Sequence, residues 1–147
     1  EFRRVLFRSH KLDIGYSTAE KIKKQVGSAM RTQSETVPVK GRDFISGIPK
    51  TIDVSSDEIR QALKDTVNDI VEAVKRALEK TPPELSADIL DRGIIMTGGG
   101  SMLKDLDQLI RDRTNVPVNR AEEPLLSVVR GTGMVLENIE KYESVLI

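Results

Sequence analysis

Apolar residues recur along this chain with the spacings of helices and strands. The longest pattern covers residues 56–80, where apolar residues return every three or four positions and predict one long amphipathic helix. Ser55, with Glu58 three positions later, predicts a capping box at its start, and Pro82 and Pro83 predict its end. The apolar stripe comprises Ile59, Leu63, Val67, Ile70, Val71, Val74 and Leu78.

Shorter patterns precede the long helix. Residues 18–29 carry Ala19, Ile22 and Val26 at helical spacing and predict a first amphipathic helix. Residues 36–40 and 50–54 alternate apolar and polar positions, which predicts an antiparallel hairpin with a long connection over residues 41–49. The connection holds the large apolar residues Phe44, Ile45 and Ile48, for which we consider an intramolecular plug and a protein–protein contact equally.

The second half of the chain alternates helices and strands. Residues 83–91 predict a short helix, and the apolar run Ile94–Met96 predicts a buried strand. A glycine-rich loop, a helix beginning near Ser101 and a strand at residues 116–118 follow, which predicts two parallel strands joined by a right-handed crossover. Residues 124–130 and 132–142 predict two helices split at Gly131 and Gly133.

The amino-acid composition excludes several kinds of binding and catalytic site. Among 147 residues, 23 Lys and Arg balance 23 Asp and Glu, which argues against a general nucleic-acid binder. The absence of Cys excludes disulfides and thiolate chemistry, and one His cannot form a His-rich metal site. No uncharged run reaches the length of about 20 apolar residues that a membrane helix needs. We therefore expect a cytoplasmic location.

Residues 1–10 differ from the rest of the sequence. They combine three arginines with four apolar residues and lack an initiator Met. We interpret them as a non-native leader left by cloning or assembly. A basic amphipathic membrane anchor and a helix of a longer parent protein are the alternatives.

Two weak candidates for a ligand site stand out. Gly98, Gly99 and Gly100 lie between a predicted strand and a helix, where backbone without Cβ atoms and a helix N-terminus favour a bound phosphate. A tight turn is the alternative, and neither the GxGxxG nor the GK[ST] spacing is present. Glu20 and Lys23 share one helix face and can contact a nucleoside, although such a pair is also typical of a solvated helix.

Several motifs resemble the MreB/Mbl family of bacterial actin-like rod-shape proteins. The likeness is densest in residues 82–100, with the ending Ile-Ile-Met-Thr-Gly-Gly-Gly, and it extends over residues 11–142. It continues in the segments 14–15, 18–23, 41–43, 46–51, 116–118, 121–125 and 131–133. The family's usual sequences differ here at Tyr16 and Ser17, and at Ser101 and Met102.

The resemblance implies an α/β fold of the actin/Hsp70/sugar-kinase superfamily, in which ATP lies between two domains. This chain would be a fragment of the second domain, with a helix–hairpin–long-helix subdomain (residues 11–80) and part of a larger strand–glycine loop–helix–strand subdomain (residues 81–147). By resemblance, the nucleotide-binding residues would be Glu20, Lys21, Ile22, Lys23, Gly98, Gly99, Gly100, Ser101 and Met102.

The function implied by the resemblance is that of a cytoskeletal ATPase. Full-length relatives polymerise with ATP and Mg²⁺ into membrane-associated filaments that act with wall-synthesis proteins and maintain rod shape. The family's phosphate loops, magnesium-binding acid and membrane-contacting part precede the matching segment, so we expect this chain alone not to hydrolyse ATP and to hold no metal ligand. An Hsp70-like or sugar-kinase fragment and a ligand-free helical interaction module are the alternatives.

Overall fold

A computed structural model describes residues 2–31 and 33–145 of the chain. Six α-helices and five β-strands are present in these residues, together with 3-10 turns at Gly99–Met102 and Ile139–Val145. The helices are α1 (Phe2–His10), α2 (Tyr16–Val26), α3 (Ser56–Glu79), α4 (Pro83–Arg92), α5 (Leu106–Thr114) and α6 (Ser127–Glu137). The strands are β1 (Leu12–Asp13), β2 (Thr36–Asp43), β3 (Pro49–Ser55), β4 (Ile94–Met96) and β5 (Val118–Arg120).

The long helix α3 forms as its sequence predicts. Ser55 Oγ accepts a hydrogen bond from the amide of Glu58, whose carboxylate accepts one from the amide of Ser55, so the capping box is complete. Lys80 follows as the C-cap, ahead of the two prolines. Because the helix is 24 residues long, it reaches both apolar cores of the molecule.

Residues 11–80, here called the hairpin region, are built around an antiparallel sheet in the order β1-β2-β3. The β2–β3 hairpin runs from the pair Thr36–Ser55 to the pair Arg42–Pro49. The strands are therefore longer than the alternation predicts, and the connection shortens to residues 44–48. Strand β1, which pairs Leu12 with Asp43, was not predicted because two residues carry no periodic signal.

Residues 81–145, here called the glycine-loop region, contain a two-stranded sheet of β4 and β5. The strands pair in parallel, as predicted, and α5 lies between them in sequence. Strand β4 is not the buried strand expected, because Ile95 is 67% exposed, and β5 begins at Val118 rather than at residue 116. The prediction of two helices split at Gly131 and Gly133 is wrong, because α6 is continuous across both glycines. Isolated glycines lower the stability of a helix without breaking it.

Two apolar clusters form the core. The first lies in the hairpin region between its sheet, α2 and the start of α3. The second joins the middle of α3 to α5 and β5. The first comprises Leu6, Leu12, Ile14, Ile22, Val26, Val37, Val39, Val54, Ile59 and Ala62, and the second comprises Val67, Val71, Leu106, Ile110 and Val118.

Helix α1 packs against the hairpin region. Leu6 is fully buried in the first core, and Arg3 Nε donates a 2.6 Å hydrogen bond to the carbonyl of Ile14. His10 Nε2 lies 2.7 Å from Glu58 Oε1. These contacts describe where residues 2–10 lie, and the interpretation of residues 1–10 as a non-native leader stays a prediction. None of the described helices is both long and apolar enough to cross a membrane.

Candidate functional site

Helix α2 divides its candidate residues between ligand-accessible and buried positions. Glu20, Lys21 and Lys23 are exposed, whereas Ile22 is buried in the first core. The helix begins at Tyr16, two residues before the predicted range 18–29, and its N-cap Gly15 offers no side chain. The side chain of Ile22 therefore anchors α2, while its neighbours on the helix remain available to a ligand.

Glu20 and Lys23 line an open cleft of about 980 Å³ between α1, α2 and the start of α3. The cleft combines four cationic side chains with two carboxylates, which makes its wall attractive to an anionic ligand. The glycine loop and its 3-10 turn, residues 98–102, do not contribute to this wall. The lining residues are Arg3, Arg4, Phe7, Arg8, Asp13, Tyr16, Ala19, Glu20, Lys23, Ile59, Leu63 and Thr66.

Glu20 is held ionised by its neighbours. Lys24 Nζ lies 3.0 Å from Glu20 Oε1, and this hydrogen bond, with the charges of Lys24 and Lys23, lowers the pKa of Glu20 below its ordinary value. A carboxylate that accepts hydrogen bonds can bind sugar hydroxyl groups. The sequence indicated Glu20 with Lys23, but the direct partner of Glu20 is Lys24, one residue further along the helix.

The glycines of the loop have different backbone requirements. Gly98 has φ +78° and ψ 172°, a conformation that residues with a side chain rarely adopt. A Cβ atom at Gly99 would meet Leu125 at 3.5 Å, an ordinary contact, and one at Gly100 would meet nothing within 4 Å. Gly98 therefore serves the turn itself, whereas Gly99 and Gly100 leave backbone exposed to solvent or to a ligand.

The helix expected to begin near Ser101 is only a short 3-10 turn, Gly99–Met102. Regular helix starts at Leu106, so the expected alignment of a helix dipole on the loop is wrong. Ser101 is buried, and its Oγ donates a 2.7 Å hydrogen bond to the carbonyl of Gly98, which closes the loop. Met102 is exposed next to it. The loop offers a ligand its backbone and the Met102 side chain, rather than a helix N-terminus.

The end of α2 and the segment after the loop meet in the structure. Ser28 and Lys104 form an isolated parallel bridge, in which the amide of Ala29 donates a 2.8 Å hydrogen bond to the carbonyl of Lys104. Ser28 Oγ lies 2.8 Å from Asp105 Oδ2. This junction brings the two candidate segments into one part of the molecule. Sequence reasoning missed Ser28 and Asp105, because neither belongs to a motif and their proximity depends on tertiary packing.

A small cavity of about 140 Å³ lies beside the junction. Its wall includes Ser28, Arg60, Lys64 and Arg113. Across residues 2–31 and 33–145, no group of three or more His, Cys, Asp or Glu side chains is placed to hold a metal ion.

The architecture places the chain among actin-like proteins. The crystal structure of MreB5 of Spiroplasma citri bound to ADP superimposes with a TM-score of 0.90 at 34% identity, over 97% of this chain and 44% of that one. The structure of the same protein bound to AMPPNP gives a TM-score of 0.88 at 35% identity, over 99% and 44% of the two chains.

Sequence comparison narrows the class to a family. The profile of the family described as MreB/Mbl protein matches residues 3–144. The cell shape-determining protein Mbl of Bacillus subtilis (strain 168) is 48% identical over 142 residues, 96% of this chain and 43% of that protein. The cell shape-determining protein MreB of Escherichia coli (strain K12) is 44% identical over 130 residues, 88% of this chain and 38% of that protein.

The chain belongs to the MreB/Mbl family, and its fold is that of an actin-like protein. It spans less than half the length of the relatives it matches. The family match begins at residue 3, within α1, whereas the resemblance inferred from the sequence begins at Lys11.

Proposed function

We propose that this chain is a segment of an actin-like cytoskeletal protein that determines rod shape, binds adenine nucleotide and polymerises into membrane-associated filaments that act with wall-synthesis proteins. The observation that carries the nucleotide proposal is the junction of Ser28 with Lys104, because it links the α2 candidates to the glycine loop. Family membership supports the cytoskeletal role. No residue of this chain is assigned to the membrane or to Mg²⁺.

The residues fit an adenine nucleotide in two complementary ways. Glu20 and Lys23 offer an ionised carboxylate and an ammonium group at an open cleft, where the carboxylate can accept hydrogen bonds from ribose hydroxyl groups and the lysine side chain can lie against a purine. Gly99 and Gly100 offer exposed backbone with room above it. The related Spiroplasma protein is described with ADP and with AMPPNP, which supports adenine nucleotide as the ligand class.

An ADP titration of the isotope-labelled chain tests this proposal. In amide NMR spectra, we expect the signals of residues 20–23 and 98–102 to shift together and to saturate. Inorganic phosphate is the control for a simple anion effect. In Gly99→Val, we expect weaker binding with the fold retained, because the new side chain occupies the ligand-facing backbone and meets only Leu125. Shifts confined to other residues, or unchanged affinity in Gly99→Val, would leave the loop as a tight turn.

The tip of the β2–β3 hairpin supports the proposal of self-association. Ile45 and Ile48 are 79% and 63% exposed, so they form no intramolecular plug, and the contact alternative is favoured for them. Phe44 is 60% exposed and packs its ring edge-to-face against Phe7 of α1, with 4.6 Å between ring centroids. The tip has a defined turn, because Asp43 Oδ1 accepts hydrogen bonds from the amides of Ile45 and Ser46 at 2.8 and 3.0 Å. An exposed apolar tip with a defined turn is suited to contact another protomer.

A chimera tests the contact. Residues 11–147 replace the corresponding segment of Bacillus subtilis Mbl, and assembly is measured by pelleting and electron microscopy. Ile48→Asp is expected to abolish filaments, because each contact would then bury a charge at a cost of several kcal/mol. Thr51→Asp, which adds the same charge at an exposed position on β3, is the control and is expected to assemble. Normal filaments from a folded Ile48→Asp chimera would exclude the tip as a contact.

ATP hydrolysis is expected to need more than this segment. Phosphoryl transfer depends on metal and charge positioned around the phosphates, and we assign neither to these residues. Because the chain belongs to the MreB/Mbl family, the alternatives of an Hsp70-like or sugar-kinase fragment no longer apply. If ADP shifts no amide signal, the titration would support the remaining alternative, a ligand-free interaction module.

A further inference from the structure

The junction between α2 and the glycine loop contains a link of polar groups. In the described part of the chain, three hydrogen-bond contacts join its two sides. Ala29 N donates to Lys104 O at 2.8 Å, and Ser28 Oγ lies 2.8 Å from Asp105 Oδ2 and 3.3 Å from Lys104 O. The paired residues lie 75 to 77 positions apart in sequence, so the link joins the hairpin region to the glycine-loop region.

The hydroxyl group of Ser28 has a defined arrangement. Ser28 is only 3% exposed, so its polar atoms need partners within the protein. A hydroxyl group has one proton to donate. Of the two nearby acceptors, the carboxylate of Asp105 is the closer and, because it is charged, the stronger. The oxygen also accepts a 3.3 Å hydrogen bond from the amide of Met30. Ser28 is thus fixed from both sides.

Asp105 is in an unusual position for its side chain. It is the N-cap residue of α5, where an aspartate ordinarily accepts a hydrogen bond from the first turn of the helix. Its side chain makes no such bond, and its backbone is left-handed, with φ 60° and ψ 14°. The carboxylate contacts Ser28 instead. This side chain therefore serves the junction rather than the helix cap.

Movement at the junction would reach both candidate segments. The amide of Gly27, next to Ser28, donates a 2.9 Å hydrogen bond to the carbonyl of Lys23. A Cβ atom at Gly27 would lie 2.3 Å from that carbonyl oxygen and 3.4 Å from Leu103 Cδ1, so the packing is tight. Leu103 directly follows the turn that ends at Met102. Lys23 and the glycine loop are thus connected through closely packed atoms.

We infer that the Ser28–Asp105 hydrogen bond is a clasp that fixes α2 relative to the glycine loop, and that Ser28 and Asp105 are positioning residues of the nucleotide site. The positioning role rests on the proposed function, whereas the geometric role of the clasp does not. Breaking the clasp leaves the Ala29–Lys104 bond and the second apolar core in place. The expected consequence is a variable distance between the two segments rather than unfolding.

Spin-label distance measurements without nucleotide test the geometric role. The chain has no Cys, so Gln25→Cys and Met102→Cys, both at exposed positions, provide the two labelling sites. We expect one narrow distance distribution in the otherwise unchanged chain. Ser28→Ala, which removes the donor, and Asp105→Gly, which tolerates the left-handed backbone but removes the acceptor, should each lose that narrow distribution.

Two control variants separate the clasp from general destabilisation. Asp105→Asn retains a side-chain oxygen that can accept the hydrogen bond, and it should keep the narrow distribution. Ser86→Ala removes a hydroxyl group that donates to nearby carbonyls of its own segment, those of Pro82 and Thr81. This variant should also keep the narrow distance distribution. Narrow distributions in both Ser28→Ala and Asp105→Gly would overturn the clasp, as would broadening in Ser86→Ala or Asp105→Asn.

The ADP titration applied to the same variants tests the positioning role. We expect Ser28→Ala to bind ADP at least about fivefold more weakly than the parent chain, within the range of measured site couplings. Asp105→Asn, which retains an acceptor oxygen, should bind ADP with the affinity of the parent chain. Equal affinity in the parent and Ser28→Ala would overturn the positioning role. If ADP shifts no signal of the parent chain, the proposed nucleotide binding fails, and the distance measurements still decide the clasp.

Discussion

The hairpin region and the glycine-loop region bury their apolar residues to different extents. The hairpin region surrounds fully buried side chains such as Leu12, Val54 and Ile59 with a three-stranded sheet and two helices. In the glycine-loop region, α4 and α6 contain no buried residue, and Ile95 of β4 is 67% exposed. Its core depends on Val67 and Val71, which α3 supplies from the hairpin region.

From this difference, we expect the sheet and the shared helix α3 to contribute more to stability than the exposed helices of the glycine-loop region. Apolar burial contributes in proportion to the area removed from water, and that area is concentrated in the first core and along α3. Truncation of a buried side chain in the first core should therefore cost more stability than substitution on the exposed helices α4 and α6.

The largest expected effect comes from Ile59→Ala in the first core. Ile59 is fully buried, so the substitution removes packed methyl groups and leaves a cavity, which lowers the free energy of unfolding by about 2–5 kcal/mol. Leu136→Ala on α6, at a position 67% exposed, is the matched control and should change it by less than about 0.5 kcal/mol. Urea unfolding measures both. Equal losses would mean that the two regions are equally well packed.

The next effect separates backbone strain from ligand access within the glycine loop. Gly98→Ala forces a side chain onto a backbone with φ +78° and should cost about 1–3 kcal/mol of unfolding free energy. Gly100→Ala has an ordinary backbone and open space, so thermal and urea unfolding should barely change. A Gly100→Ala variant as unstable as Gly98→Ala would show that the whole loop, and not one position, requires glycine.

Helix capping provides a smaller contrast. Ser55→Ala removes the capping box of α3 and should cost about 1 kcal/mol of unfolding free energy. The matched control is Ser127→Ala at the start of α6, whose hydroxyl group bonds only to the nearby carbonyl of Glu123 and caps no amide. Urea unfolding compares the two variants. A larger loss for Ser127→Ala would contradict the assignment of stability to the hairpin region and α3.

The smallest expected effect is a local response of the hairpin tip to acid. The amides of Ser46 and Ile45, with Lys50, lower the pKa of Asp43 from its ordinary 3.8 to about 2. Because the folded pKa is lowered, the contribution of Asp43 to the order of the tip is complete above about pH 4 and is lost as the pH falls through about 2.

Amide NMR signals of Ile45 and Ser46 measure this response between neutral pH and pH 1.5. Their titration midpoint should lie near the pKa of Asp43, about 2. In Asp43→Asn the titration should disappear, which identifies the responsible carboxylate. A midpoint near 3.8 would mean that the tip hydrogen bonds do not favour the ionised form in solution.

The candidate site was only partly predictable from the sequence. Glu20 and Lys23 were expected on one accessible helix face and lie there, because helical spacing fixes which residues share a face. Ile22 was included by resemblance, but its side chain is buried in the first core. The helix start expected near Ser101 is a 3-10 turn, since three glycines in a row favour no regular helix. The assignment of these residues to a nucleotide stays a prediction.

By itself, the sequence determined the elements whose signals are local and repeated. The apolar stripe and capping box specified α3, and the alternation around residues 36–54 specified the hairpin, because burial of one face imposes a fixed period. The motifs around the glycine loop specified the family. Only the tertiary structure decided how far β2 extends and that Ser28 meets Asp105. The extension of β2 and the contact of Ser28 with Asp105 depend on residues far apart in sequence, which leave no periodic trace in either segment. The continuity of α6 is a local feature, because isolated glycines weaken a helix without ending it.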